Sequence, residues 1–144
     1  PEIYDGIVEI KSISREAGAR TKIAVYSRDE NVDAVGACIG PKRTRIQAIV
    51  NELNGEKIDI ITYSDDPAEF IARALAPAKV LSVKVSEGEL KECSVIVPND
   101  QLSLAIGNRG QNAKLAAKLT GYKIDIKPEM EIADKTSEPQ PADE

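Results

Sequence analysis

Apolar and polar residues alternate at Val8 and Ile10, at Ile23 and Val25, at Leu81, Val83 and Val85, and at Cys93, Val95 and Val97, which is the period of half-buried strands. The joining segments, Arg15 to Arg20 around Gly18 and Ser86 to Lys91 around Gly88, are polar and carry the glycine a strand reversal uses. Two β-hairpins are therefore expected. After each hairpin the period changes. Val35, Cys38 and Ile39, like Leu102, Ala105 and Ile106, recur at i, i+3, i+4, one buried face of a short helix, with Asp33 and Asn99 or Asp100 as N-caps. A second helix follows, marked by Ile46, Ile49, Val50 and Leu53 or by Leu115, Ala116 and Leu119, and is stopped by Gly55 or Gly121. Ile58 to Ile61 and Ile124 to Ile126 are short and β-branched, as closing strands should be.

The order β-β-α-loop-α-β thus occurs twice. Val35, Cys38, Ile39 and Gly40 fall on Leu102, Ala105, Ile106 and Gly107, and Lys57-Ile58-Asp59-Ile60 falls on Lys123-Ile124-Asp125-Ile126, at an offset of 66 to 67 residues. Between the copies, Asp65-Asp66-Pro67 starts a further helix with Phe70, Ile71, Ala74 and Leu75 on one face. No equivalent helix precedes Ile7. The predicted class is α+β: two domains, each a three-stranded sheet covered by helices, at residues 1–63 and 64–127. The joining segments Tyr63 to Asp66 and Ala76 to Ala78 are too short for flexible tethers, so the units should pack in a fixed relation. Residues 128–144 turn to Pro, Glu, Ala and Ser and read as a disordered acidic tail.

Charge supports a nucleic-acid partner only after it is divided along the chain. The net charge is -5 over 144 residues, which seems unfavourable. Yet Glu129, Glu131, Asp134, Glu138, Asp143 and Glu144 stand against Lys135 alone, so the tail carries the whole excess and residues 1–127 balance to zero. A local basic patch, not the total, sets the field a phosphate feels. Hydrophobic residues make up 42% and charged residues 30%, with no apolar run that would span a bilayer. The chain opens on Pro1 without a leader and reads as a piece of a longer protein. Cys38 and Cys93 stand apart and there is no histidine, so neither a Cys/His zinc site nor a disulfide framework is suggested. Both cysteines are read as small apolar core residues of a reducing cytoplasm, and no metal or cofactor is expected.

Each helix pair is joined by a glycine-opened loop, Gly40-Pro41-Lys42-Arg43 and Gly107-Asn108-Arg109-Gly110. Glycine lets backbone approach a phosphate, and the next helix presents unpaired N–H groups. Lys42, Arg43 and Arg45 in the first copy, and Arg109 with Lys114 in the second, gather positive charge there, and the amides of Gln111 and Asn112 are placed to donate further hydrogen bonds. One GxxG has little weight as a signal. Two such loops in the same place in two copies of one unit favour nucleic-acid binding over a structural turn. The first loop ends in Arg43 instead of glycine, which leaves its share of the binding open.

The strings VGACIGPKRTRIQAIVNELNGEKIDII and SLAIGNRGQNAKLAAKLTGYKIDI resemble the paired KH domains of the NusA family of bacterial elongation, termination and antitermination factors, over residues 1 to about 127. The resemblance implies two type II (prokaryotic) KH domains whose GXXG loops clamp the backbone of single-stranded RNA. It also implies a polymerase-binding domain and an S1 domain ahead of the pair in the full-length protein, through which RNA polymerase and other elongation factors would be met. The expected protein is a cytoplasmic monomer with no membrane partner. Two other readings compete with this one. An enzyme lacks histidine, a phosphate-binding GxxxxGKS loop and a nucleophile elbow, and Asp59 and Asp125, alternating with isoleucines, read as wet strand faces. A protein-docking KH-like adapter is the alternative, with the acidic tail able to cover the basic loops. With Phe70 and four tyrosines as the only aromatics, recognition should rest on backbone clamping and not on stacking platforms.

Overall fold

A computed structural model describes residues 1–130. The first unit contains β1 (Val8–Glu16), β2 (Arg20–Ser27), α1 (Ala34–Ile39), α2 (Thr44–Glu52) and β3 (Lys57–Thr62). The helix α3 (Pro67–Ala74) leads into the second, with β4 (Ser82–Val85), β5 (Glu92–Val97), α4 (Leu102–Ile106), α5 (Gln111–Thr120) and β6 (Lys123–Pro128). Two three-stranded sheets result, ordered β1-β2-β3 and β4-β5-β6, each with an antiparallel hairpin and a parallel third strand. A parallel neighbour needs a crossover, which the helix pair supplies.

Helix starts differ from the sequence reading in detail. Asp66 caps α3 by accepting a hydrogen bond from the Ala68 N–H at 3.2 Å, and Pro67 fits the first turn because its missing N–H has no intrahelical partner. Asp33 precedes α1 but its side chain makes no capping bond. Asn99 and Asp100 lie in a 3₁₀ turn ahead of α4, and the Asn99 Oδ1 accepts instead from the Met130 N–H at 2.9 Å. That bond, with pairing of Pro128 to Val97, holds residues 128–130 on the second unit, so the tail read from 128 starts too early. Residues 131–144 lie outside the described residues.

Strand β2 explains how the two units meet. Its burial is nearly continuous from Thr21 to Val25, as expected only of a strand covered on both faces. Val25, with Val8 and Ala34, belongs to the first unit's own core. Ala24 and Ile61 join Phe70, Ile71, Ala74, Leu75 and Leu119 in the second unit's core. Polar groups stitch the same face: Ser12 Oγ donates to the Leu119 carbonyl at 2.8 Å, Ser14 Oγ to the Leu115 carbonyl at 2.7 Å, and Lys22 Nζ to the Ala76 carbonyl at 2.7 Å. The molecule is a four-layer stack in which α1 and α2, the first sheet, α3 with α5, and the second sheet follow in order.

The two KIDI strands differ because of this stack. Asp59 faces the second unit and its side chain is 15% exposed, bound to Lys22 Nζ at 2.8 Å and Arg20 at 2.6 Å. Asp125, at the matching place in the second sheet, is 62% exposed. The wet-face reading holds for Asp125 and fails for Asp59, whose face is occupied by another unit.

Candidate nucleic-acid interface

The two loops follow one backbone path despite sharing only their first residue. Gly40 has φ 79°, ψ 166° and Gly107 has φ 81°, ψ 172°, a region essentially reserved for glycine. Lys42 (54°, 30°) matches Arg109 (57°, 27°), and Arg43 (62°, 24°) matches Gly110 (74°, 13°). Glycine at the first position is also required by space. A Cβ on Gly107 would lie 2.7 Å from the Asn112 backbone nitrogen, and one on Gly40 2.8 Å from Arg45 Cγ. Each loop therefore lies directly on the first turn of α2 or α5, where N–H groups have no intrahelical acceptor. Neither helix has an acid in that turn.

Pro41, Lys42, Arg43, Asn108, Arg109 and Lys114 are all solvent-exposed, and the four cations among them form no ion pair among the described residues. Three other predicted contacts are engaged within the protein. Arg45 donates to Glu2 at 2.6 Å and to the Ala37 carbonyl at 2.7 Å. Gln111 Nε2 donates to Glu16 of the first unit at 3.0 Å. Asn112 is 3% exposed, and its Nδ2 donates to the Leu75 and Ala105 carbonyls at 3.0 and 2.9 Å. With both amide hydrogens used, the Asn112 side chain has none left for a phosphate. Its role is to fasten α5 to α4 and to the end of α3.

Beside the second loop, Leu104 and Ile106 are 42% and 36% exposed, while Ala105 is fully buried. Ile106 thus leaves the buried face read from its spacing, because α4 is a single short turn and a half and presents both flanks. Sequence reasoning also missed the seam between the units. There a groove of about 380 Å³ brings Arg20, Lys57 and Pro77 together with Leu104, Gly107 and Asn108. Lys57 opens the first KIDI motif, but only the packing of the units sets it near the second loop.

Buried charge next to this seam is paired. Lys22 is fully buried; burial, the largest influence, lowers its pKa, against the opposing pull of Asp59. Glu56 is 1% exposed and accepts from Arg15 Nε at 2.9 Å, Arg15 Nη2 at 2.8 Å, the Gly18 N–H at 3.0 Å and the Thr21 hydroxyl. Those donors, Arg15 first, hold its carboxyl down to about 2. Cys93 is buried in the core and burial pushes its thiol up to about 11, so it has the inert character expected of it.

A β-β-α-α-β unit whose helices are joined by a glycine-opened turn aimed along the second helix is a KH domain, and this chain is two of them in tandem. Residues 1–63 match the family described as the NusA-like first KH domain, and residues 67–134 match the NusA-like second KH domain. The chain belongs to the NusA family. It is 66% identical over 131 residues to the transcription termination/antitermination protein NusA of Bacillus subtilis, covering 91% of this chain and 35% of the relative. It is 57% identical over 134 residues to the protein of that name from Thermus thermophilus, covering 93% of this chain and 34% of the relative. The chain spans about a third of the length of these curated relatives. A crystal structure of APE1850 is similar, with TM-score 0.60 and 27% identity, covering 88% of this chain and 94% of that one.

Proposed function

We propose that this chain grips one continuous single-stranded RNA with both KH units, and is the RNA-holding part of a longer transcription termination/antitermination protein. The observation that carries the reading is the pair of loops with one backbone path, each opening a helix without acids and each bearing exposed cations. Gly40, Pro41, Lys42 and Arg43 hold phosphates in the first unit, residues 1–63; Gly107, Asn108, Arg109, Gly110 and Lys114 hold them in the second, residues 64–127. Arg45, Gln111 and Asn112 act as supports. The seam groove, with Arg20 and Lys57, carries the strand from one unit to the other, and Leu104 and Ile106 offer apolar area to bases. The chain is a binding module and not an enzyme. The nascent transcript is its ligand in the cytoplasm, and it works as a monomer. RNA polymerase and other elongation factors are met by the remaining parts of the longer protein.

Fluorescence anisotropy with short single-stranded RNA, matched DNA and duplex RNA tests this. Single-stranded RNA should bind best, with log affinity against log salt falling at a slope of roughly -3.5 for about five neutralised phosphates. The double variant Asn108→Asp, Arg109→Asp should stay folded and lose most of the affinity. A slope near zero for the wild-type chain overturns the reading in favour of a protein-docking adapter.

A further inference from the structure

The second loop opens a helix that has no acid of its own in the first turn, yet the other unit places one beside it. Glu16 ends β1 and pairs with Arg20 across the first hairpin. It is solvent-exposed, and its Oε2 accepts from Nε2 of Gln111, the residue that follows Gly110 and begins α5, at 3.0 Å. The backbone carrying Glu16 is fixed from both sides. Arg15 before it and the Gly18 N–H after it are bound to Glu56, the Ala19 N–H donates to the Glu16 carbonyl at 3.0 Å, and the Lys57 N–H donates to the Ala19 carbonyl at 3.1 Å. Ala19, Arg20 and Gln111 all line the seam groove, so the Glu16 carboxylate stands at its rim.

Electrostatics makes this a poor place for an acid. A carboxylate next to a turn that holds phosphate repels the ligand the turn attracts. Glu2 of the first unit is neutralised by Arg45 at 2.6 Å, whereas Glu16 has no ion pair among the described residues. Arg20, its neighbour across the hairpin, is engaged by Asp59 at 2.6 Å. Gln111 uses one of the roughly four acceptor sites of the Glu16 carboxylate, and a carboxylate can only accept. Phosphates offer it nothing. A single strand has two kinds of group that do: the ribose 2′-hydroxyl, which DNA lacks, and the exocyclic amines of adenine, cytosine and guanine.

We propose that Glu16 is a specificity residue lent by the first unit to the second: it accepts a hydrogen bond from a donor on the strand, a 2′-hydroxyl or a base amine, and repels strands that offer none. Gln111 is the positioning residue that orients its carboxylate. This role rests on the RNA-binding reading and adds selectivity to it. Affinity comes from the cations of the loop, and the choice of ligand from an acid that opposes them unless the strand supplies a hydrogen.

The test compares the wild-type chain with Glu16→Ala and Glu16→Gln by fluorescence anisotropy on four probes of equal length: a mixed-sequence single-stranded RNA, its 2′-O-methyl form, the matching DNA, and oligouridine. Both variants change an exposed side chain and should melt close to wild type. Although a negative charge is removed, Glu16→Ala should bind the mixed RNA about tenfold more weakly, the effect of losing a hydrogen bond to a charged group. Glu16→Gln, which keeps an acceptor oxygen, should lose less. If the donor is the hydroxyl, the preference of wild type for RNA over its 2′-O-methyl and DNA forms disappears in Glu16→Ala. If it is an amine, the preference for mixed RNA over oligouridine disappears instead. Tighter binding of all four probes by both variants would mean plain repulsion, and equal weakening on all four a structural role; either overturns the proposal, as does no change. Each of those results leaves the RNA-binding reading standing, whereas failure of wild type to bind the mixed RNA removes both.

Discussion

Glu56 shows how much one side chain does at the head of β3. Four donors from the first hairpin converge on its carboxylate and lower its pKa from 4.5 to about 2. A carboxyl depressed in the folded state gives its full stabilisation above the unfolded value, and loses it as pH falls through the folded one. The stability difference between wild type and Glu56→Gln should therefore be constant near neutrality and shrink from pH 4.5 toward about 2; a difference that ignores pH across that window contradicts the assignment. Gly107 makes a steric prediction. With φ 81° and a backbone nitrogen 2.7 Å from the added carbon, Gly107→Ala should destabilise by about 2 kcal/mol in urea unfolding, with RNA affinity falling because the loop must move. Residue roles were only half legible. The cations and glycines of the loops could be picked from spacing, but nothing in the string Arg-Gly-Gln-Asn says that Asn112 turns inward toward two carbonyls. That depends on where α3 ends.

At the scale of elements, α3 is the joint of the molecule. Phe70, Ile71, Ala74 and Leu75 are each 8% exposed or less, and Phe70 meets Tyr63 edge-on at 5.0 Å between ring centres. Phe70→Ala should cost about 3–5 kcal/mol and perturb amide resonances of Ala24 and Ile61 in the first sheet together with Val95 in the second. A response confined to one unit would show that α3 does not couple them. Strands, helices and their order were readable, because period two and period 3.6 are set by local geometry. Two features were not. The bulge between Ile10 and Ser12 changes which residues of β1 share a face, and the 3₁₀ turn before α4 moves that helix past its presumed caps.

For the molecule as a whole, short connections implied a fixed pairing, while the surface used for it was hidden. Lys22, Ala24 and Ile61 lie opposite Ile23, Val25 and Ile60 and look solvent-facing by alternation; with Ser12 and Ser14, which the bulge in β1 turns to the same side, they become an interior only because a second unit lies on them. With a shared core, the two units should unfold together, giving one calorimetric transition with matching calorimetric and van't Hoff enthalpies. Two resolved transitions would mean that the seam is weaker than the cores.

Among the described residues, the outer face of the second sheet is open to solvent, with Lys84 and Ser94 exposed. Where the first sheet has Lys22, Ala24 and Ile61, the matching register of the second carries Ser94, Ile96 and Lys127, with Lys84 and Asp125 alongside. Helices on sheet on helices on sheet is a pattern that could in principle add copies indefinitely, like the coils of a repeat array. With Lys84, Ser94, Asp125 and Lys127 around the half-buried Ile96, this outer face gives a further copy a more polar seat than the one on which the second unit lies.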